Sequence, residues 1–149
     1  MASITFLDSD DMDRVPLARS LARFVQDLVA ENRRVALVVP DDQQAARWDQ
    51  LLWSWDDLSF LPHSILGREW PADEPVTVAT RLPPPAADLT LLCLHEVPLD
   101  DLVDHDDVYE LVDRNSEEGV EHARERWSAW KTTGRSREYR RDWATGGSR

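Results

Sequence analysis

The feature that most constrains the fold is a short run of almost wholly apolar residues, RVALVVP at positions 34–40. A strand with one solvated face alternates apolar and polar residues, whereas a strand covered on both faces is apolar throughout. The run therefore predicts a central strand of a parallel sheet, with helices packed on both sides. The preceding segment agrees, because apolar residues in 14–32 recur at three- and four-residue steps, which is typical of an amphipathic helix.

The same alternation of strands and helices continues along the chain. Further strands are predicted at 3–8, 76–80, 88–94 and 108–113. Asp41 is placed to cap a second helix that runs to about Trp55. Ser116 is placed to cap a last helix that reaches about Thr133, before Gly134. We expect a three-layer α/β fold with a mostly parallel central sheet, similar to a Rossmann fold but without a nucleotide-binding loop.

The length and the charge distribution predict one domain with a basic C-terminal segment. A chain of 149 residues fits one domain, which we expect to span 1–134. Residues 135–149 are predicted to form a tail or a docked extension. Residues 122–149 carry eight basic and three acidic residues, a net of +5, whereas residues 1–121 carry nine basic and 26 acidic residues, a net of −17. Two surfaces with different partners explain this distribution, and a solvated arginine-rich tail explains it equally well.

The composition indicates a soluble, cytoplasmic protein. The net charge is −12, and no run approaches the roughly 20 apolar residues of a membrane span. The N-terminus has neither the basic segment nor the apolar run of a signal peptide. The single cysteine, Cys93, excludes a disulfide within the chain. The acidic body also argues against a protein that coats nucleic acid with its whole surface.

The sequence lacks the residue patterns expected of an enzyme. The first strand leads into DSDDMD, where no glycine lets the backbone approach a phosphate. The acidic side chains of this turn suit helix capping, although a Mg²⁺-dependent enzyme or a phospho-receiver is an alternative. These side chains are Asp8, Asp10, Asp11 and Asp13. The four histidines form no metal-binding pattern, and Cys93 lies within an apolar strand, as an inert thiol would. We expect a binding protein with no catalytic residue, metal or cofactor.

The segment 51–64, LLWSWDDLSFLPHS, is rich in large apolar side chains. Trp53 and Trp55 point about 200° apart on a helix, so both cannot face one core. Phe60 and Leu61 follow in a predicted loop, which either folds over the sheet edge or stays exposed as an anchor for a partner. The residues alone leave these two interpretations equally open.

Two motifs carry a resemblance to a known family. Residues 48–63, WDQLLWSWDDLSFLPH, resemble a segment of the chi subunit of bacterial DNA polymerase III. In that family a helix ends in Leu-Trp, and Ser-Phe-Val/Leu-Pro-His follows after a short spacer. Residues 123–131, ARERWSAWK, resemble the family's Ala-Arg-Glu-Arg helix, which a glycine also follows closely. The resemblance covers roughly residues 3–134 and implies a non-catalytic accessory subunit of the clamp loader in DNA replication.

The resemblance implies two binding sites for proteins and mostly indirect contact with DNA. The psi subunit of the clamp loader would bind Trp53 and Phe60, with Leu61, Pro62 and His63 beside them. The last helix would bind the acidic C-terminal tail of single-stranded DNA-binding protein. A receptor for that tail needs a cation for the terminal carboxylate and an aromatic pocket for the last side chain.

The last helix contains both groups that the tail requires. Arg124 and Trp127 match the arginine and the tyrosine of the family's tail-binding site, and Lys131 lies on the same helix face. Ser128 completes the predicted site, but one member of the family has lysines at the positions of Ser128 and Val120, so two positive charges are missing here. The basic residues that could supply the missing charge are Arg126, Lys131, Arg135 and Arg137.

The resemblance also leaves a second adaptor role open. A chi-like protein could bind a repair helicase in place of psi, through the same Phe60 surface. The sequence does not separate these two partners, and both interpretations predict that Phe60 contacts another protein.

Overall fold

The computed structural model describes residues 2–9, 14–54 and 61–145. The strands in these ranges are β1 (Ser3–Asp8), β2 (Arg34–Val38), β3 (His63–Ile65), β4 (Val76–Ala79), β5 (Leu89–Cys93), β6 (Asp107–Val112) and β7 (Ser136–Arg140). The helices are α1 (Arg14–Ala30), α2 (Asp42–Ser54), α3 (Leu99–Leu102) and α4 (Glu117–Lys131), followed by a short 3-10 helix, Trp143–Thr145. None of the helices described is long and apolar enough to cross a membrane.

The strands form one sheet in the order β3-β4-β2-β5-β6-β1-β7, and every pairing between them is parallel. The predicted α/β fold with a mostly parallel central sheet is therefore confirmed. Strand β2, whose apolar run predicted a central position, lies between β4 and β5. Strands β3 and β7 are the two edges of the sheet.

The apolar side chains of the strands divide between the two faces of the sheet. In β2, Leu37 packs in the cluster under α1 and α2, and its neighbour Val38 packs in the cluster under α3 and α4. In β5, Leu92 and Cys93 divide in the same way. Helices therefore cover both faces, which explains why these strands contain so few polar residues.

The predicted strands and helices are present, with ends that shift by at most two residues within the described ranges; Trp55, the predicted end of the second helix, lies outside them. Ser116 caps α4, because its Oγ accepts a 2.9 Å hydrogen bond from the Gly119 N–H. Gly134 follows α4 with a φ of 73°, a conformation that glycine adopts without steric cost. Two strands were not predicted, because β3 is only three residues long and β7, SREYR, contains no apolar run.

The C-terminal segment is docked on the domain as far as the structure describes it. Strand β7 pairs with β1, with Tyr139 opposite Phe6. Trp143 is 2% exposed, and its indole N–H donates a 2.7 Å hydrogen bond to the carbonyl oxygen of Asp8. Of the two arrangements that the sequence leaves open for 135–149, the described part is a docked extension and not a free tail.

Candidate protein-binding surfaces

An open groove of about 690 Å³ lies where α4 meets β7 and the ends of β1 and β6. Its lining residues are Phe6, Val112, Arg114, Val120, Ala123, Arg124, Trp127, Ser128 and Tyr139. We call this surface the α4–β7 groove. Three of the residues predicted to bind a peptide tail, Arg124, Trp127 and Ser128, therefore lie together in one concave surface. Lys131, the fourth, is exposed further along α4 and does not line the groove.

The ring of Trp127 forms an aromatic wall of the groove, and three neighbours hold it in place. Phe6 and Tyr139 meet it edge-on, with ring centroids 5.2 and 6.2 Å away. The Arg137 guanidinium lies 4.5 Å from the ring centroid and donates a 2.9 Å hydrogen bond to the Trp127 carbonyl oxygen. Each aromatic or cation–π contact contributes on the order of 1 kcal/mol, so the half-buried ring is preorganised.

Two arginines of α4 differ in whether their charge is available to a ligand. Arg126 donates to Glu110 through Nε and Nη2, at 2.5 and 2.9 Å. The buried Glu110 also accepts a 2.7 Å bond from the indole N–H of Trp130, which is fully buried. Arg124 is exposed and has no ion-pair partner among the residues that the structure describes. The suggestion that Arg126 supplies a missing charge is therefore wrong, whereas the Arg124 charge is available at the groove.

The other basic residues near α4 also differ in their surroundings. Arg135 donates a 2.8 Å hydrogen bond to the Val103 carbonyl oxygen and lies over the ring of Trp130. Burial lowers the pKa of Arg135. Four residues were suggested to replace the missing positive charge. Of these, within the described part of the chain, Arg137 is the one that contacts a residue lining the groove, Trp127.

The side chain of Asp8 is fully buried at the end of β1, behind the groove. Its carboxylate accepts a 2.9 Å hydrogen bond from Nη1 of Arg114 and a 2.6 Å bond from the Tyr139 hydroxyl. Nε of Arg141 lies 3.5 Å from the same oxygen. The hydrogen bond to Asp8 raises the pKa of Arg114, and burial together with Asp8 raises the pKa of Tyr139. Donors from the β6–α4 connection and from the C-terminal extension therefore compensate this buried charge.

The contacts of Asp8 bear on the alternative of a metal or phospho-acceptor site in the first acidic turn. A cation bound at Asp8 would have to displace the ion pairs that stabilise this carboxylate. Asp10, Asp11 and Asp13, the other members of that site, lie outside the described residues. Within the described ranges, no group of three His, Cys, Asp or Glu side chains could hold a metal ion. Burial raises the pKa of Cys93, which keeps its thiol protonated and unreactive.

A second candidate surface lies at the β3 edge. Trp53 is 55% exposed at the end of α2, and Ile65 is 46% exposed on β3. The Trp53 ring rests against the ring of His63, with the centroids 4.5 Å apart. We call Trp53, the half-buried Pro62 and Ile65 the Trp53 patch. Large apolar side chains exposed near one another are typical of a surface that binds a protein partner.

Two of the predicted partner-binding residues lie beneath this patch. Leu61 is 4% exposed and packs in the core under α1 and α2. The His63 ring is also buried, with Nδ1 2.7 Å from the Leu61 carbonyl oxygen and Nε2 3.2 Å from that of Asp49. Because both side chains are buried, the expectation that Leu61 and His63 contact a partner directly disagrees with the structure. Both residues instead support Trp53 from beneath. Phe60, also predicted for this site, lies outside the described residues.

Sequence analysis did not identify Arg114 or Tyr139 as groove residues. Arg137 and Tyr139 lie two positions apart in β7, so their side chains share the face that packs on Trp127. The alternation within 136–140 was the available signal. Arg114 had no such signal, because its place depends on how the β6–α4 connection turns toward β1.

A comparison with protein families places these surfaces in context. The family model described as DNA polymerase III chi subunit, HolC, matches residues 1–138, which include the Trp53 patch and all of α4. A comparison with curated proteins gives no match. The family match spans most of the 149 residues, so the likeness extends well beyond the two motifs at 48–63 and 123–131. The chain therefore belongs to the DNA polymerase III chi subunit family, which comprises non-catalytic accessory proteins of DNA replication associated with the clamp-loader complex.

Proposed function

We propose that this protein links the clamp loader to single-stranded DNA-binding protein during replication, through two separate surfaces. The Trp53 patch binds the psi subunit, and the α4–β7 groove binds the acidic C-terminal tail of single-stranded DNA-binding protein. The family suggests both partners, and the residues assigned to them are those of this chain. One observation carries the proposal: the exposed Arg124, without an ion-pair partner among the described residues, lines the same groove as the preorganised ring of Trp127.

The groove has the chemistry that the end of such a tail requires. A terminal carboxylate is recognised by a guanidinium, and an apolar side chain next to it is recognised by an aromatic wall. Arg124 provides the first group, and Trp127, supported from behind by the buried Phe6, provides the second. The ordered position of Trp127 reduces the entropy lost on binding. Ser128 lines the groove without adding charge, and Lys131 contributes only long-range attraction to an acidic peptide.

The Trp53 patch has the chemistry of a protein contact with little charge. Burial of an exposed tryptophan at an interface frequently contributes more than 1 kcal/mol, and such residues dominate binding energies. Pro62 and Ile65 extend the apolar surface beside Trp53. Phe60 belongs to the same proposed surface on sequence grounds. His63 and Leu61 act beneath it by holding the end of α2 against β3.

The charge distribution favours contact with DNA through the partner and not through the body of the protein. Residues 1–121 carry a net charge of −17, which repels a phosphate backbone. The same acidic body would repel an acidic peptide everywhere except near the arginines of the C-terminal part. The charge distribution therefore favours the α4–β7 groove over the rest of the surface as the site for the tail.

Calorimetric titration of a synthetic acidic peptide tests the groove. The peptide carries several aspartates, an apolar pair and a free C-terminal carboxylate. We expect binding in the micromolar range, weakened about tenfold by Arg124→Ala. Arg23→Ala is the matched control, because Arg23 is an exposed arginine on α1, on the opposite face of the sheet. Ser128→Lys should tighten binding several-fold by adding a cation at the groove. Equal affinity of wild type and Arg124→Ala would contradict the assignment.

Capture of the psi subunit tests the patch. Wild-type protein should retain psi on an affinity column, and Trp53→Ala or Phe60→Ala should reduce the retained amount about tenfold. Val103→Ala, which truncates another exposed apolar side chain, should have no effect. Undiminished capture by both aromatic variants would refute the assignment of psi to this surface. Capture of a repair helicase in place of psi, with the same sensitivity to Phe60→Ala, would favour the second adaptor role.

A further inference from the structure

The α4–β7 groove contains a second arginine, which no sequence motif predicted. Arg114 lies in the connection between β6 and α4, and it lines the groove together with Arg124. Both arginines also line an adjoining concavity of about 530 Å³, which they share with Val120 and with two carboxylates, Glu117 and Glu121. Two guanidinium groups from separate parts of the fold therefore border one open surface. The Arg114 side chain is 32% exposed, so a ligand in the groove can reach it.

The position of Arg114 is set by buried groups. Its backbone N–H donates a 3.0 Å hydrogen bond to the Ser9 hydroxyl oxygen, and its Nη1 donates to the buried carboxylate of Asp8. Tyr139 donates to the same carboxylate oxygen from β7. A guanidinium carries several N–H donors, and the bond to Asp8 uses Nη1, so Arg114 keeps donors for a second acceptor. Arg114 is thus held in place by the interior and partly open to solvent.

Arg114 and Arg124 are the charged side chains among the residues that line the groove, whereas the carboxylates Glu117 and Glu121 line the adjoining concavity. One carboxylate faces two guanidinium groups, since Arg141 also lies 3.5 Å from Asp8, and Arg124 adds a third cation nearby. The groove is therefore cationic on a protein whose net charge is −12. Val120 and Ser128 line the groove without charge, so Arg114 and Arg124 supply its cations.

We infer that Arg114 is a second anion-binding residue of the groove, an inference that rests on the peptide-binding role proposed above. Arg114 takes one carboxylate of the bound peptide, and Arg124 holds another beside it. Asp8 and Tyr139 are positioning residues, which act by orienting the Arg114 guanidinium. The carboxylate on Arg114 is either an aspartate side chain, with the peptide's terminus on Arg124, or the terminus itself, in which case Arg124 takes the aspartate. The chemistry of recognition is the same for both sources, and the two are separated by the choice of peptide.

Calorimetric titrations with three peptides test this inference. The first peptide has several aspartates, an apolar pair and a free terminal carboxylate, the second is its C-terminal amide, and the third has asparagine for each aspartate. Arg114→Ala should weaken binding of the first peptide about tenfold. The loss should disappear with the amide if Arg114 takes the terminus, or with the asparagine peptide if Arg114 takes a side chain. Arg114→Lys should bind with intermediate affinity, because it keeps the charge but not the planar fork.

Two controls separate direct contact from folding and from long-range charge. Removal of Arg114 leaves Asp8 with fewer partners, so thermal unfolding of each variant must show a single cooperative transition at the titration temperature, and Arg114→Lys remains as the milder substitution. Arg141→Ala removes a cation beside Asp8 that does not line the groove, so it should weaken binding less than Arg114→Ala.

The outcomes distinguish this inference from the function on which it rests. If Arg124→Ala weakens binding while Arg114→Ala and Arg114→Lys bind as wild type does, Arg114 is not a ligand contact and the proposed function stands. An equal loss for all three peptides would also overturn the inference, because a contact to a carboxylate must depend on that carboxylate. If wild-type protein binds none of the peptides, both the function and the inference fail.

Discussion

At the β3 edge the candidate surface comes from one continuous segment, whereas at the β7 edge it is assembled from distant parts of the chain. Trp53, His63 and Ile65 follow one another at the end of α2 and in β3. The α4–β7 groove combines Phe6 from β1 with Tyr139 from β7, which are brought together by strand pairing. Beyond its own segment the first surface needs only the pairing of β3 with β4, whereas the second includes Tyr139 and so requires the docked C-terminal extension.

The two surfaces also differ in how charge is handled. The His63 ring is held by the carbonyl oxygens of Leu61 and Asp49, and the Asp49 carboxylate lies 3.3 Å from its Nε2, while the Trp53 patch above it contains no charged side chain. Near α4, buried carboxylates bind some arginines and leave others available. Glu110 neutralises the charge of Arg126 in an ion pair, while Arg124 stays exposed. The number of arginines on a helix therefore does not measure the charge of its binding site, because buried carboxylates neutralise some of those arginines.

Truncation of one tryptophan at each edge should give the largest contrast. Trp143→Ala removes a buried side chain and the hydrogen bond to the Asp8 carbonyl oxygen, so we expect a loss of about 4 kcal/mol in the free energy of unfolding. Trp53→Ala removes a side chain that is 55% exposed and should cost less than about 1 kcal/mol. Urea denaturation of both variants measures the difference. Similar losses would mean that the extension contributes no more to the fold than the patch does.

Removal of the carboxylate that holds Arg126 should have the next largest effect. Glu110→Ala leaves a largely buried guanidinium and the Trp130 N–H without their acceptor, so we expect a loss of about 3 kcal/mol in stability. Glu125→Ala, which removes an exposed carboxylate of α4, is the control and should change stability by less than about 0.5 kcal/mol. The double variant Glu110→Ala, Arg126→Ala should lose less than the sum of the single variants, and strict additivity would deny the coupling.

Salt should distinguish the two surfaces in binding. Raising the ionic strength from about 0.1 M to about 1 M shortens the Debye length from about 10 Å to about 3 Å. We expect peptide binding to the α4–β7 groove to weaken about tenfold over this range, because it depends on exposed cations. Capture of psi by the Trp53 patch should change by less than about twofold, since the contact is mainly apolar. If both interactions weakened equally with ionic strength, the two surfaces would not differ in how much their binding depends on charge.

The smallest expected effect concerns alkaline pH and Tyr109, which packs in the cluster under α1 and α2. Burial, together with the nearby charge of Asp107, raises the pKa of Tyr109 to about 12. A raised pKa in the folded state means that the contribution to stability is complete below the unfolded value of about 10 and is lost as pH rises through about 12. Unfolding measurements across this window should show the decline, and Tyr109→Phe should reduce it, leaving the part that comes from the raised pKa of Tyr139. A tyrosinate absorbance titration with an ordinary midpoint for both tyrosines would contradict the assignment.

Much of the fold follows from local pattern. The apolar runs of β2 and β5 indicated strands covered on both faces, and the Ser116 cap marked the start of α4, because capping and periodicity depend on near neighbours. Strand β7 was not predicted from the sequence, because an edge strand with a solvated face needs no apolar run.

The sequence by itself determined an α/β domain, its helices and strands, and the two motifs of its family, since these depend on residues close together in the chain. The tertiary structure alone decided which arginines are available. Arg124 and Arg126 lie two residues apart, and although the motif and the helix face favour Arg124 as a ligand, nothing in the sequence shows that the charge of Arg126 is neutralised. Their difference arises because the pairing of the strands places Glu110 under one side of α4, where a buried carboxylate must find a cation. Arg124, which points away from that carboxylate, remains available to a partner.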